Sequence, residues 1–259
     1  MHTLRQLESD LRALGLCAGS SVLMHSSYRS LGGVEGGAAG FFRAFLDLLG
    51  PGGTLVLPAL SYRDVGPEQP VFDALRTPSC VGYLSEFFRT QVPGVLRSLH
   101  PTHSCCAVGR HAAELTAGHE RDETPVGPNS PFAKLPETGG WILMLGCSAD
   151  RNTSMHGVEE TAEPPYLLDR AVRIPYVLRA AGGTEIPRPS IPHCFRFGGR
   201  FCAQRYARIL DMLPPGALRR GRVLDAECVL MRASAVWEVG KKALERDPFC
   251  FVELVEEEE

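Results

Sequence analysis

The sequence predicts an α/β layered fold with a largely parallel sheet, and three stretches carry that prediction. In the first, residues 3–14 place Leu4, Leu7, Leu11 and Leu14 three or four apart, an amphipathic helix capped by Thr3 and stopped near Gly15. Residues 21–25, Ser-Val-Leu-Met-His, follow as a short buried strand. In the second, residues 36–49 set Phe41, Phe42, Phe45, Leu46 and Leu49 at helical spacing, and residues 54–58 read as the next strand. Two β–α units with short connections thus fall within the first sixty residues. The third stretch is residues 140–146, Gly-Trp-Ile-Leu-Met-Leu-Gly, an apolar run closed by glycine that reads as a further buried strand.

The intervening segments are less regular. Residues 61–79 have little periodicity and many prolines and read as a long loop, of a length that is often functional in compact domains. Helices are expected at 82–90 and 112–118, and a turn-rich loop at 124–135. Beyond these, 172–178 and 184–187 suit a hairpin, 201–213 a helix, 223–231 a strand, and 234–246 an amphipathic helix stopped at Asp247 and Pro248. With no internal repeat and no linker, residues 1–259 read as a single domain, closed by the solvated charge run of Glu256, Glu257, Glu258 and Glu259.

Composition narrows the function. A net charge of −3, with only Arg219, Arg220 and Arg222 gathered, argues against a nucleic-acid partner. No apolar run approaches the roughly 20 residues that span a bilayer, and the N-terminus lacks the order of a signal peptide. A cytoplasmic protein without a membrane partner is expected. Nine cysteines, none in a CxxC pair, are then expected to be reduced and mostly buried.

The chemistry is expected just past the strand at 140–146, where residues of an α/β fold project into the ligand crevice. Residues 152–160 read Asn-Thr-Ser-Met-His-Gly-Val-Glu-Glu. With Thr153 as N-cap of the helix that follows, His156 and Glu159 lie three apart on one face, a base and a carboxylate at a single mouth. A second informative turn, residues 26–33 (Ser-Ser-Tyr-Arg-Ser-Leu-Gly-Gly), follows the strand at 21–25. It supplies backbone N–H groups, hydroxyls and an arginine, the parts a phosphate needs. Residues 100–106, His-Pro-Thr-His-Ser-Cys-Cys, resemble a metal half-site in spacing, but a zinc site needs further ligands and His193-Cys194 is the only other such pair. No metal is expected.

Five segments taken together resemble the aminoglycoside 3-N-acetyltransferase family, also called the antibiotic N-acetyltransferase fold family. They are residues 25–32, 77–79, 97–104, 127–135 and 152–159, and they recur in family order. The resemblance implies a three-layer α/β/α domain with a central mixed, largely parallel sheet, binding acetyl-CoA and moving its acetyl group to an amine of a cationic sugar antibiotic. His156 matches the family's catalytic histidine and Glu159 the glutamate of its His-x-x-Glu element; Thr153 is a candidate oxyanion donor beside them. The segment of Ser26, Ser27, Tyr28, Arg29, Leu31 and Gly32, together with Ser104, Ser130, Phe132 and Lys134, matches the coenzyme-contacting parts. Ser26, Ser27 and Arg29 would face the diphosphate, Lys134 would neutralise a phosphate, and Phe132 would cover the adenine.

Asp64, Asp73, Glu159 and Glu160 would pair with a polycationic acceptor, with His193 beside them. The sequence departs from the drug-modifying members at residues 192–195, Pro-His-Cys-Phe, where an acidic residue is expected. That departure favours a different amine as acceptor. A reading of another class is a zinc or thiol hydrolase built on His100, His103 and Cys194. The expected partners are the coenzyme and a small cationic amine, and the expected state is a monomer or homodimer.

Overall fold

A computed structural model describes residues 1–256; Glu257, Glu258 and Glu259 of the terminal charge run lie outside the described residues. The first half of the chain runs α1 (Leu4–Leu14), β1 (Ser21–Ser26), α2 (Gly37–Leu49), β2 (Thr54–Pro58), β3 (Val71–Asp73), α3 (Tyr83–Gln91), β4 (Leu96–Arg97), β5 (Cys105–Gly109), α4 (Ala112–Thr116) and α5 (Pro131–Lys134). The second half runs β6 (Trp141–Leu145), α6 (Ser154–Ala162), β7 (Ile174–Arg179), β8 (Glu185–Ser190), β9 (Arg196–Phe197), β10 (Arg200–Gln204), β11 (Leu218–Val223), β12 (Ala226–Arg232), α7 (Ala233–Arg246) and β13 (Val252–Val255).

The main sheet has seven strands in the order β11-β12-β6-β1-β2-β5-β4. Only β6–β1 and β1–β2 pair in parallel; the flanking strands are antiparallel. The sheet is therefore mixed, as expected, but its parallel part is confined to the three central strands. Those strands are buried on both faces, which is why they read as unbroken apolar runs. Val22 and Met24 of β1, Leu55 and Leu57 of β2, and Leu143 and Leu145 of β6 pack with Leu7, Phe41, Phe45 and Phe88 from α1, α2 and α3. The alternate residues Leu23, Val56, Ile142 and Met144 pack with Leu115, Phe132, Met155, Val158 and Val236 from α4, α5, α6 and α7. Helices on both faces make the three-layer α/β/α arrangement.

Local signals fare well where the partner is close in sequence. Thr3 Oγ1 accepts from the Gln6 amide at 3.2 Å, and Gly15, with φ of 108°, closes α1 in the left-handed region. They fare less well where the partner is remote. The expected helix at 201–213 is instead β10 followed by a 3₁₀ turn, Tyr206–Asp211, because Phe201 pairs with Val255 on the far strand β13. Within the expected long loop at 61–79, β3 forms because Asp73 registers with Arg179 of β7. The arginines at 219, 220 and 222 lie on β11, the outer strand of the sheet, where charge discourages further pairing.

Candidate active site

β1 and β6 run side by side, and both end at the same edge of the sheet. Beyond that edge, Ser30 Oγ donates to the Gly146 carbonyl at 3.0 Å. The contact is close because Gly146 has φ of 66° and no side chain; a Cβ there would lie 2.5 Å from Ser30 Cβ. A cleft of about 730 Å³ opens beside these strand ends, the usual ligand position in α/β sheets. Its wall includes His25 and Ser26 from the end of β1, Tyr62, His100 and His103 from loops, and Asn152, Thr153 and His156 from the start of α6. His193, Phe195, Gln204 and Tyr206 also belong to the wall.

α6 is seated by close packing on α7. A Cβ at Gly157 would meet the Trp237 ring at 2.5 Å, and one at Gly240 would meet Val158 Cγ1 at 2.7 Å. Thr153, expected as the N-cap, has helical backbone angles and makes no capping bond; Asn152 Oδ1 accepts from the Ser154 amide at 3.1 Å instead. The Thr153 hydroxyl is thereby left to the cleft wall.

His156 and Glu159 do share a face of α6, yet their nearest atoms stand 3.6 Å apart, too far for a good hydrogen bond. A tyrosine closes the gap. The Tyr206 hydroxyl lies 2.8 Å from His156 Nδ1 and donates to Glu159 Oε2 at 2.7 Å. Tyr166 donates to the other oxygen, Oε1, also at 2.7 Å. Glu159 is 0% exposed, so its carboxylate is satisfied by these two hydroxyls rather than by water. Burial and the adjacent Glu159 push both tyrosine hydroxyls well above their usual range, so both remain protonated donors.

Three further imidazoles surround His156. Those of His103 and His193 have centroids 5.9 and 5.0 Å from it, and His25 is close enough to feel its charge. Burial drives all three toward the neutral form: His25 is lowered to about 3, and His103 and His193 well below the usual range, each further disfavoured by neighbouring histidines. His193 Nε2 sits 2.7 Å from Glu160 Oε1, whose carboxyl burial raises to about 7 against hydrogen bonds from Thr124 and Val126. Both shifts run toward the neutral forms of this hydrogen-bonded pair.

The remaining expected residues divide into those at the cleft and those held elsewhere. Ser26 reaches the wall. Ser27 holds the turn through its amide to Leu145 and its hydroxyl to Ser30, Tyr28 packs on Tyr83, Arg29 is exposed, Leu31 is in the core, and Gly32 closes the turn with φ of 75°. Four further residues matched to coenzyme contacts have internal partners or lie in the core. Ser104 donates to the Ala59 carbonyl and accepts from Arg97, Ser130 caps α5, and Phe132 is fully buried in the core. The Lys134 ammonium binds the carbonyls of Glu114 and Ala117.

Of the residues expected to meet the acceptor, His193 lines the cleft. Asp73 accepts from the amides of Leu75 and Arg76 and faces Arg179, and Asp64 stands 3.6 Å from Arg63. Neither lines the cleft, while Glu159 and Glu160 are spent on internal partners. The hydrolase grouping fails too: His100 Nδ1 accepts from the amides of Thr102 and His103, and Cys194 is not part of the cleft wall. Missed in the sequence were Tyr166, Tyr206 and Asn152. Only Asn152, within the motif at 152–160, carried a local signal.

A cleft at the carboxyl ends of parallel strands, walled by an imidazole hydrogen-bonded to a buried tyrosine, defines an α/β protein with a candidate active site. The family model described as aminoglycoside 3-N-acetyltransferase matches residues 23–245, and the chain belongs to this family of acyltransferases. It is 33% identical over 257 residues to aminoglycoside N(3)-acetyltransferase III of Pseudomonas aeruginosa, covering 90% of this chain and 89% of the relative. A Salmonella relative, aminoglycoside N(3)-acetyltransferase IV, is 32% identical over 251 residues, covering 95% and 89%. Among solved structures, AAC-IIIb in a binary complex with CoASH superposes with a TM-score of 0.78 at 32% identity, covering 95% of this chain and 97% of that one. A mutant of AAC(3)-IVa in complex with gentamicin superposes with a TM-score of 0.78 at 30% identity, covering 96% and 90%.

Proposed function

We propose that the chain transfers the acetyl group of acetyl-CoA to an amino group of an aminoglycoside-type cationic acceptor, by direct attack in a ternary complex with His156 as general base. The carrying observation is the hydrogen-bonded line from Glu159 through Tyr206 to His156 at the cleft wall. Tyr206 has one hydroxyl proton and gives it to Glu159, so its lone pair selects the imidazole tautomer protonated at Nδ1. Nε2 is then the nitrogen left to accept a proton. As the amine nitrogen bonds to the thioester carbon, Nε2 takes the amine proton, and the carboxylate behind Tyr206 stabilises the imidazolium. Collapse of the intermediate breaks the C–S bond, and the proton passes to the departing thiolate.

The oxyanion in between needs donors aimed into the cleft. Thr153 offers a hydroxyl there, and the buried Asn152 Nδ2 has no partner among the described residues. The turn of Ser26, Ser27, Tyr28, Arg29, Leu31 and Gly32 is the proposed seat of the coenzyme diphosphate, with Ser26 at the wall and Arg29 exposed three residues on. The proposed unit is one domain, as a monomer or homodimer. No helix among the described residues is long and apolar enough to cross a membrane; a cytoplasmic setting would supply acetyl-CoA.

A second reading, the same transfer to a less cationic amine, is favoured by the absence of Asp64 and Asp73 from the cleft wall. Mass spectrometry of acetylated product after incubation with acetyl-CoA and an aminoglycoside panel separates the two. Product from the panel supports the first; coenzyme binding with no product from any member supports the second. His156→Ala should lower turnover by about 10² to 10⁴, and wild-type turnover in that variant overturns its role.

A further inference from the structure

We propose that His103, His156 and His193 form a binding site for a divalent transition cation of the zinc class in the wall of the cleft, and that a cation held there blocks acyl transfer. One nitrogen from each of these three rings lies within 4.8 Å of the other two. Three imidazoles converging in this way, with no hydrogen bond between any two of them, suit an imidazole-seeking metal rather than magnesium or calcium.

The second observation is how each ring is held. Histidines that bind metals use one nitrogen for the ion and anchor the other on a protein group. Here His103 Nδ1 is 2.9 Å from the Thr102 hydroxyl, His156 Nδ1 is 2.8 Å from the Tyr206 hydroxyl, and His193 Nε2 is 2.7 Å from Glu160 Oε1. Each ring therefore has one anchored nitrogen and one spare, on three separate stretches of chain. A tetrahedral ion with nitrogens at about 2.0–2.1 Å sets them roughly 3.3 Å apart, so no pair need close by more than roughly 1.5 Å on loading. The cleft leaves the fourth position to water. His100 and Cys194 are not members of the group.

The blockade, unlike the site, rests on the reading of His156 as general base: the ion occupies the lone pair that must take the amine proton. The ion is an inhibitor in this scheme, and acetyl transfer itself needs no metal.

The test titrates tag-free wild-type protein with cobalt(II), whose ligand-field absorption reports low coordination number. One equivalent per chain with intense bands is expected. His103→Ala and His193→Ala should each weaken binding by at least about 10²-fold, and Thr102→Ala, which removes only an anchor, by about 10- to 100-fold. A featureless wild-type titration, or unchanged bands in both histidine variants, overturns the site. In parallel, zinc(II) should abolish formation of the acetylated product, read by mass spectrometry, and a chelator should restore it. Full turnover by protein carrying one bound equivalent would overturn the blockade and the base role of His156 while leaving the cobalt result intact, so the two failures are told apart.

Discussion

Tyr206→Phe removes one oxygen atom from the site and tests the proposed mechanism at its least obvious member. In the native site that oxygen is the sole bridge between His156 Nδ1 and Glu159 Oε2, which are otherwise 3.6 Å apart. When the imidazole takes a proton, the bridge becomes a hydrogen bond to a charged group, worth about 1.5–3 kcal/mol. Each 1.36 kcal/mol is tenfold in rate, so kcat should fall by roughly 10- to 100-fold. That is less than the loss expected for His156→Ala, because the base itself survives. KM should change little. The acidic limb of the kcat–pH profile should move to lower pH, since losing support for the imidazolium makes the neutral base available earlier. The variant also strips one of two donors from a carboxylate that no water reaches, at a stability cost of about 1–3 kcal/mol. The assay is steady-state acetylation across pH, with thermal unfolding as the control on folding. Wild-type kcat with an unmoved acidic limb would refute the relay from Glu159 to His156, whatever the change in stability.

Other substitutions probe the scaffold and the residues with internal partners. Gly157→Ala places a methyl 2.5 Å from the Trp237 ring and should destabilise by about 1–3 kcal/mol, measured by denaturant unfolding; an unchanged midpoint would mean that α6 and α7 can part without cost. Lys134→Ala should leave KM for acetyl-CoA unchanged and lower stability alone, because the ammonium is committed to the carbonyls of Glu114 and Ala117; a clear rise in KM would return Lys134 to the coenzyme site. Stability should fall from pH 6.5 to pH 5.5. His25 and His119 are each lowered to about 3 by burial, so the unfolded chain binds their protons first and each costs about 1 kcal/mol across that window. His100, His103 and His193 act in the same direction, whereas Glu160, raised to about 7, gains about 1 kcal/mol there and offsets part of the loss. Equal denaturant midpoints at the two pH values would contradict the burial of these histidines in neutral form.

The readings that succeeded share a physical basis. α1, α2 and the strands at 21–26, 54–58 and 141–145 were legible because a buried face imposes its period on adjacent residues. His156 and Glu159 were legible because three residues of helix place two side chains on one face. What local chemistry could not convey is the direction in which a side chain is turned. Phe132, Ser104 and Lys134 suit a coenzyme site by chemistry, yet packing turned them to the core, to Arg97 and to helix-end carbonyls.

The amino-acid order by itself determined the layered α/β class, the central strands and the motif that bears the proposed base. Only the tertiary structure decided that the proposed base is hydrogen-bonded to Tyr206, which lies 50 residues from His156, and that five histidines from a strand, a helix and separate loops meet at one cleft. The reason is that hydrophobic periodicity is a local property of the chain, written within a turn or two of helix or strand. The partner of a buried polar atom is chosen by which remote segments the sheet and its packing bring within about 3 Å, and no local pattern records that choice.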